Sequence, residues 1–139
     1  MTGNPDITAL VHNSMPLCAT LGIAGIAGDA SKVILELDFD ERLCTSGHAM
    51  HGGALMALAD SAGGLCAFFN LPEGAVGTAT IESKTNFFGA VTAGRVRATA
   101  APLHVGSTTI VVETDLRCND RLIAKTTQSQ IVRRPRESA

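Results

Sequence analysis

An apolar segment with a single carboxylate at its centre constrains this chain more than any other feature. Residues 52–69 form a helical pattern that is apolar on nearly every side, and Asp60 is their only charged residue. Such a helix is either a membrane span or the buried axis of a domain. A lone carboxylate in apolar surroundings must be paired, neutralised or used. Since Gly63 and Gly64 also follow it, we expect a domain axis, with no membrane partner.

Most of the remaining chain reads as strands, which need something to wrap around. Residues 33–39 and 108–118 alternate apolar and polar side chains, the pattern of a sheet with one covered face. Further strands are predicted at 21–27, 78–88, 95–100 and 122–132. Pro102 marks a sheet edge or a bulge, and Asn119-Asp120 forms a two-residue hairpin loop. The order predicts an α+β fold, in which a curled antiparallel sheet of about six strands surrounds one long central helix.

The length and charge of the chain limit its organisation and its partners. Its 139 residues predict a single domain, 1–139, with a substantial core. We expect a loose end at 1–7, a weak helix over 8–19 that Pro16 limits, and a loose tail at 133–139. Residues 1–20 are thus the N-terminal helical segment. The net charge of −2 argues against nucleic acid as a partner.

The four cysteines are scattered and form no CxxC pair, which argues against a metal knuckle. His48 and His51 suggest a metal site with Asp60, but a third clear ligand is missing, so we expect no metal. The N-terminal segment lacks the basic and long apolar regions of a signal peptide. Reduced thiols and no leader predict a cytoplasmic protein.

The motif around the helix start resembles that of a known family. His51-Gly52-Gly53, followed by Asp60 nine positions after the histidine, resembles the hotdog-fold acyl-CoA thioesterases of the phenylacetate-degradation and 4-hydroxybenzoyl-CoA type. Residues 80–88 resemble that family's third strand, and Gly106-Ser107-Thr108 resembles its turn near the coenzyme. The resemblance covers about residues 33–132. It implies the hotdog fold, hydrolysis of an acyl-CoA substrate, and a homodimer or homotetramer. Coenzyme A is then a leaving group, and no cofactor is expected.

The resemblance also implies roles for individual residues. The N–H of Gly52 corresponds to the oxyanion donor, and Asp60 corresponds to the general base or nucleophile. Thr80 matches the position of a hydroxyl near the carboxylate, with Thr78 as a rival. His51 either acts at the thioester or simply caps the helix.

The physical chemistry of thioester hydrolysis supports the same helix independently. The reaction needs a stabilised oxyanion and an activated water or nucleophile. A helix N-terminus supplies unpaired N–H groups, and Gly52 and Gly53 let a carbonyl oxygen approach them closely. Gly52 and Asp60 are eight residues apart, roughly 12 Å along the axis. Because reacting groups must lie within about 3–3.5 Å, we expect a two-fold dimer in which each site combines both chains.

The substrate-binding residues are predicted from their positions around Asp60. Gly64 lies one helical turn beyond it and leaves room for the acyl group, while Met56 lies one turn before it. The alternative for Gly64 is close strand packing. The coenzyme arm is expected near Ser107, Thr108 and Arg95 or Arg97. The identity of the acyl group stays open.

Two positions depart from the family pattern. Thr45 stands where many relatives carry an asparagine, six positions before the motif histidine, and His48 replaces a usual glycine. The missing amide keeps two alternatives open. One is a non-catalytic acyl-CoA binding or sensing module, and the other is a hydroxyacyl thioester dehydratase on the same fold.

Overall fold

A computed structural model describes residues 3–137 of the chain. The helices are α1 (Pro5–Ser14), α2 (Pro16–Leu21) and α3 (Gly52–Phe69), with a short 3-10 turn at Glu41–Leu43. The strands are β1 (Ala24–Gly28), β2 (Val33–Asp38), β3 (Gly77–Phe87), β4 (Arg95–Val105), β5 (Thr109–Cys118) and β6 (Arg121–Arg133). Residues 1 and 2 of the predicted loose start, and 138 and 139 of the predicted tail, lie outside the described residues.

The six strands form one antiparallel sheet in the order β1-β2-β4-β5-β6-β3. Irregularities interrupt the register in four of the five strand pairs, and such bulges bend and twist strands. The sheet therefore curls around α3, which contacts β2 through β6. The predicted α+β fold, with a curled sheet around one long helix, is confirmed.

Helix α3 has the bounds that its apolar pattern predicts. Leu55, Leu58 and Leu65 face the sheet, where inward side chains such as Val96 and Ile110 are fully buried. By length and composition alone α3 could cross a bilayer, but half of it is buried inside the fold, as expected of a core helix.

One side of α3 stays uncovered in the single chain. Every fourth residue along this side escapes full burial: Gly52, Met56, Asp60, Gly64 and Phe68. The edge strand β3 lies beside it, and its outer edge pairs with no other strand among the described residues. The predicted oxyanion donor and the predicted acid therefore share the open side of the helix.

The strand predictions hold at the hairpin and fail at the start of the sheet. Asn119 and Asp120 adopt positive φ angles of 51° and 62°, as a two-residue turn between β5 and β6 requires. The prediction of a strand at 21–27 is wrong in its first half, because Leu21 ends α2 and Gly22 closes that helix at φ 75°. Strand β4 runs past its predicted end, and the bulge expected at Pro102 is present.

The N-terminal segment from Asn4 onward is more ordered than predicted. Asn4 caps α1 by accepting hydrogen bonds from the N–H groups of Asp6 and Ile7, and Pro5 occupies the first helical position. This combination favours a helix start, so the loose end predicted for residues 5–7 is wrong. At the other end Arg134 donates hydrogen bonds to the carbonyl oxygens of Glu73 (3.1 Å) and Ser107 (3.0 Å), which docks the beginning of the predicted tail.

Gly25 sets how closely α1 lies on β1, and this contact can be tested. A Cβ atom at Gly25 would lie 2.5 Å from Ile7 Cγ2 and 2.7 Å from the Ile7 backbone carbon. We expect Gly25→Ala to lower the free energy of unfolding by about 1–3 kcal/mol, because the helix must move away. In the control Gly77→Ala, the added Cβ meets nothing within 4 Å. Denaturant unfolding of both variants checks this, and equal stabilities would contradict it.

Candidate active site

Asp60 projects from the middle of α3 on its uncovered side. The side chain of Gln128, on β6, donates from Nε2 to Asp60 Oδ1 over 3.4 Å. Burial of the carboxyl raises the pKa of Asp60, while the hydroxyl of Thr80 and the amide of Gln128 act in the opposite direction. Partial burial therefore favours the neutral form of the acid, whereas the two polar groups favour its anion.

The hydroxyl of Thr80 is the one that acts on Asp60. Thr80 Oγ1 accepts a hydrogen bond of 2.6 Å from Gln130 Nε2. The Thr80 O–H is therefore the remaining donor, and its interaction with Asp60 lowers the pKa of that carboxyl. Thr78 instead lines a cavity near the other end of α3.

The N-terminus of α3 presents one free donor. His51 is the N-cap residue, and its Nδ1 accepts a hydrogen bond of 2.7 Å from the Gly53 N–H. The His51 carbonyl oxygen accepts from Ala54 and Leu55. Among residues 3–137 no group accepts from the N–H of Gly52. His51 thus acts as a helix cap, Gly53 has its N–H engaged, and Gly52 keeps the donor that an oxyanion could use.

The ring of Phe87 lies against this helix start. A Cβ atom at Gly52 would sit 3.2 Å from Phe87 Cζ, which is tighter than an ordinary contact. Strand β3 runs antiparallel to α3, since its Phe87 end meets Gly52 and its Thr80 lies at Asp60.

A cavity of about 380 Å³ opens one turn beyond Asp60. Helix α1, helix α3 and strand β3 each contribute to its wall: Leu10, Ser14, Met15, Gly64, Leu65, Phe68, Gly77 and Thr78. A Cβ atom added at Gly64 would meet nothing within 4 Å, so this glycine faces open space. Met56, expected at the same pocket, is absent from its wall.

The residues predicted for the coenzyme arm are not brought together. Arg95 begins β4, whereas Ser107 and Thr108 lie in the turn after its other end, roughly 33 Å away along an extended strand. Arg95 pairs with Asp38 at 2.5 Å and Glu36 at 3.3 Å. The turn and Arg95 therefore cannot form one compact subsite within a single chain.

The metal alternative finds no support in the geometry. Among residues 3–137 no three His, Cys, Asp or Glu side chains come together as ligands. His48, one of the two histidines considered, lies in the preceding loop with a φ of 59°. This left-handed backbone favours glycine, which is the residue that His48 replaces in the family pattern.

Two residues of the site were missed from the sequence. Gln128 and Gln130 are only 1% and 2% exposed, and both point from β6 toward α3. Their signal is positional: they fall in phase with Ala124 and Val132, the inward positions of a strand that alternates every two residues. Polar residues at core positions of a strand indicate a buried polar partner.

The comparisons with known proteins identify the family. Residues 47–125, more than half of the chain, match the family model described as "Thioesterase superfamily". The chain belongs to this superfamily. This match includes Gly52, Asp60 and Thr80, and it confirms the resemblance to hotdog-fold thioesterases.

Individual relatives and solved structures are consistent with membership of this superfamily. It is 32% identical over 95 residues to a Bacillus subtilis (strain 168) protein called "Putative esterase ComA2", covering 68% of this chain and 75% of the relative. Among solved structures it resembles the conserved protein PA5202 of Pseudomonas aeruginosa (31% identity, TM-score 0.75, covering 84% of this chain and 92% of that one). It also resembles the thioesterase HI1161 of Haemophilus influenzae (26%, TM-score 0.78, 88% and 89%).

The family fixes the coarse activity of this thioesterase-superfamily protein. It is a hydrolase of the thioesterase type, which bears out the general prediction of thioester hydrolysis.

The capping role of His51 gives a testable difference between two substitutions. His51→Ala removes the acceptor for the Gly53 N–H, and we expect the free energy of unfolding to fall by about 1 kcal/mol. His51→Asn supplies a carbonyl oxygen in its place and should retain most of the stability. Thermal unfolding compares the two variants, and equal losses would show that the cap contributes nothing. If the imidazole ring of His51 also acts on the thioester, His51→Asn should be stable but should hydrolyse the substrate more slowly.

Proposed function

We propose that this protein hydrolyses an acyl-CoA thioester to the free acid and coenzyme A. The observation that carries the proposal is the unpaired N–H of Gly52 at the start of a helix whose open side also bears Asp60. The first group can stabilise the charge that develops on the thioester oxygen. The second can activate the group that attacks the carbonyl carbon.

Gly52 suits the oxyanion role for three reasons. Its N–H lies at the positive end of the helix dipole, where negative charge is stabilised. His51 already engages the neighbouring Gly53 N–H, so the arrangement of the donor is fixed before substrate binds. Glycine also lets the carbonyl oxygen approach the backbone without a side chain in the way.

Asp60 serves either as the general base for water or as the nucleophile, and both roles require the anion. Because burial raises the pKa of Asp60, its ionised fraction grows over a higher pH range than that of an ordinary carboxyl. The rate of hydrolysis should accordingly rise with pH as Asp60 loses its proton.

The acyl group fits the cavity between α1, α3 and β3. Its wall is mainly apolar, and the space at Gly64 begins one turn from Asp60. An acyl chain or ring entering there would place its carbonyl carbon near the acid. The N-terminal helix thus takes part in substrate binding through Leu10, Ser14 and Met15.

One chain does not complete this site. Gly52 and Asp60 are separated by about 12 Å along α3, too far for both to touch one thioester. The edge strand β3 exposes Ile81 (64%) and Phe87 (47%), and exposed edges with large apolar side chains invite pairing. A second copy of the chain is the partner that supplies the missing half.

The proposed two-fold axis lies near the middle of β3. Thr80 marks the level of Asp60, and Phe87 marks the level of Gly52. An antiparallel pair of β3 strands related by an axis near Ser83 and Lys84 brings the Thr80 end of one chain beside the Phe87 end of its partner. Each site then combines Asp60 of one protomer with Gly52 of the other.

The activity is tested by thiol release from a panel of aromatic, short-chain and medium-chain acyl-CoAs. We expect turnover by the wild type and a loss of about 10²–10⁴-fold in Asp60→Asn, which cannot act as a base. The matched control is Asp120→Asn, the same change in the exposed β5–β6 hairpin. Equal rates for wild type and Asp60→Asn would remove the acid from the mechanism. Tight acyl-CoA binding without turnover would identify a binding module instead.

The composite site is tested by mixing two defective proteins. Gly52→Pro removes the N–H at the first helical position, which tolerates proline, and His51 already has the extended backbone that precedes proline. Refolding Gly52→Pro together with Asp60→Asn should restore about a quarter of the wild-type rate. Half of the randomly formed dimers are mixed, and one of their two sites is intact.

The control for this experiment is Gly52→Ala in place of Gly52→Pro. It adds the same Cβ contact with Phe87 but keeps the N–H, so it should retain far more activity than the proline variant. No recovery in the Gly52→Pro mixture, or a single-chain mass in gel filtration, would contradict a site shared between two protomers.

A further inference from the structure

Gln128 is a buried amide on the face of β6 that packs toward α3. Its side chain points inward from β6, is 1% exposed, and reaches Asp60 Oδ1 with its Nε2 at 3.4 Å. Its Oε1 is buried and has no hydrogen-bond partner among residues 3–137. A buried amide that leaves one of its polar atoms unpaired needs a compensating reason to be there.

Helix α3 is shaped to admit this amide. A Cβ atom at Gly63 would overlap Gln128 Oε1 and lie 2.5 Å from its Cδ. Glycine is unfavourable inside a helix, so its presence at position 63 calls for a packing reason. Because Gly63 has no side chain, the Gln128 amide fits against α3 at this position. From there it reaches Asp60, which lies three residues earlier in the helix.

The orientation of the amide follows from the charge of its partner. A carboxylate only accepts hydrogen bonds, so the NH₂ group of Gln128 must face Asp60 when the acid is ionised. In that orientation Oε1 turns toward Gly63 and stays unpaired. The contact to Asp60 is therefore made at the expense of the other end of the amide.

The groups around Asp60 are otherwise neutral. Strand β3 presents the Thr80 hydroxyl, which Gln130 of β6 holds in turn. Helix α2 presents Cys18, whose pKa is raised mainly by burial and further by the charge of Asp60, so the thiol stays protonated. No ion pair joins Asp60 to a cation among residues 3–137. The amide and the hydroxyl are the donors that this acid has.

We propose that Gln128 is a positioning residue, which fixes the direction of the Asp60 carboxylate for the hydrolytic step, and that Gly63 is glycine to make room for it. The inference rests on the proposed function, because it assigns Asp60 a role in hydrolysis. Gln128 touches the acid and not the substrate. Its removal changes both the orientation of the carboxylate and the balance between its charged and neutral forms.

Two variants remove the contact in different ways. Gln128→Met keeps a long unbranched side chain without a donor, and Gly63→Ala leaves Gln128 in place but blocks its path. In both, loss of a donor that lowers the pKa of Asp60 should raise that pKa further. We expect kcat to fall by about 10–100-fold and the acid limb of the kcat/KM profile to move to higher pH.

The titration of Asp60 is read directly from the carboxyl carbon by NMR, independently of turnover. Thr126→Val is the matched control, since it removes a partly buried hydrogen bond between Thr126, on the same face of β6, and Thr85 (2.7 Å between the hydroxyl oxygens). Gly64→Ala is a control for the titration alone, because its Cβ meets nothing within 4 Å.

A rise in the pKa of Asp60 in Gln128→Met and Gly63→Ala, absent from the controls, supports the positioning role. An unchanged titration and pH profile in either folded variant overturns it and leaves Gln128 as a packing residue. A wild type that releases no thiol would end the proposed function, whereas the NMR titration would still decide whether Gln128 holds the acid.

Discussion

The burial of α3 by the curled sheet is the constraint on which the rest of this structure depends. Five strands pack against α3, so nearly all of its side chains must be apolar. Asp60 is the charged exception, and it lies on the side of the helix that the sheet leaves uncovered. The apolar surroundings oppose ionisation, so the fold places two neutral donors beside the acid. The result is a carboxyl group whose pKa is raised by burial, while two neighbouring donors favour its anion.

The same helix separates the two halves of the chemistry. Its N-terminus can stabilise an oxyanion at Gly52, and its middle carries the acid, but no single substrate spans both within one chain. The uncovered side of α3 and the outer edge of β3, which pairs with no strand among residues 3–137, lie next to each other, and both belong to the face on which we propose that a second copy of the chain packs. In the proposed dimer, catalysis and assembly depend on the same surface.

The central helix and the positions of its candidate site residues could be predicted because their signals are local. An apolar run with Asp60 as its only charged residue defines α3, and the spacing of Gly52 and Asp60 along it follows from helical geometry. The contact between Gln128 and Asp60 could not be predicted in the same way, because it depends on β6 packing beside α3, which is far away in the sequence. The predicted start of β1 was wrong for another reason: an apolar, glycine-rich run fits a helix end and a strand equally well.

Gly63 and Gly64 are neighbours in the sequence with unrelated reasons for lacking a side chain. The first makes way for an amide of the chain itself, while the second borders the space assigned to the acyl group. Under the proposed roles, a substitution at position 64 is expected to change the substrate range and leave the acid undisturbed, whereas a larger residue at position 63 is expected to require a change at Gln128. Two adjacent codons would thus evolve under different selection, the one for Gly64 tied to the substrate range and the one for Gly63 tied to the orientation of the acid.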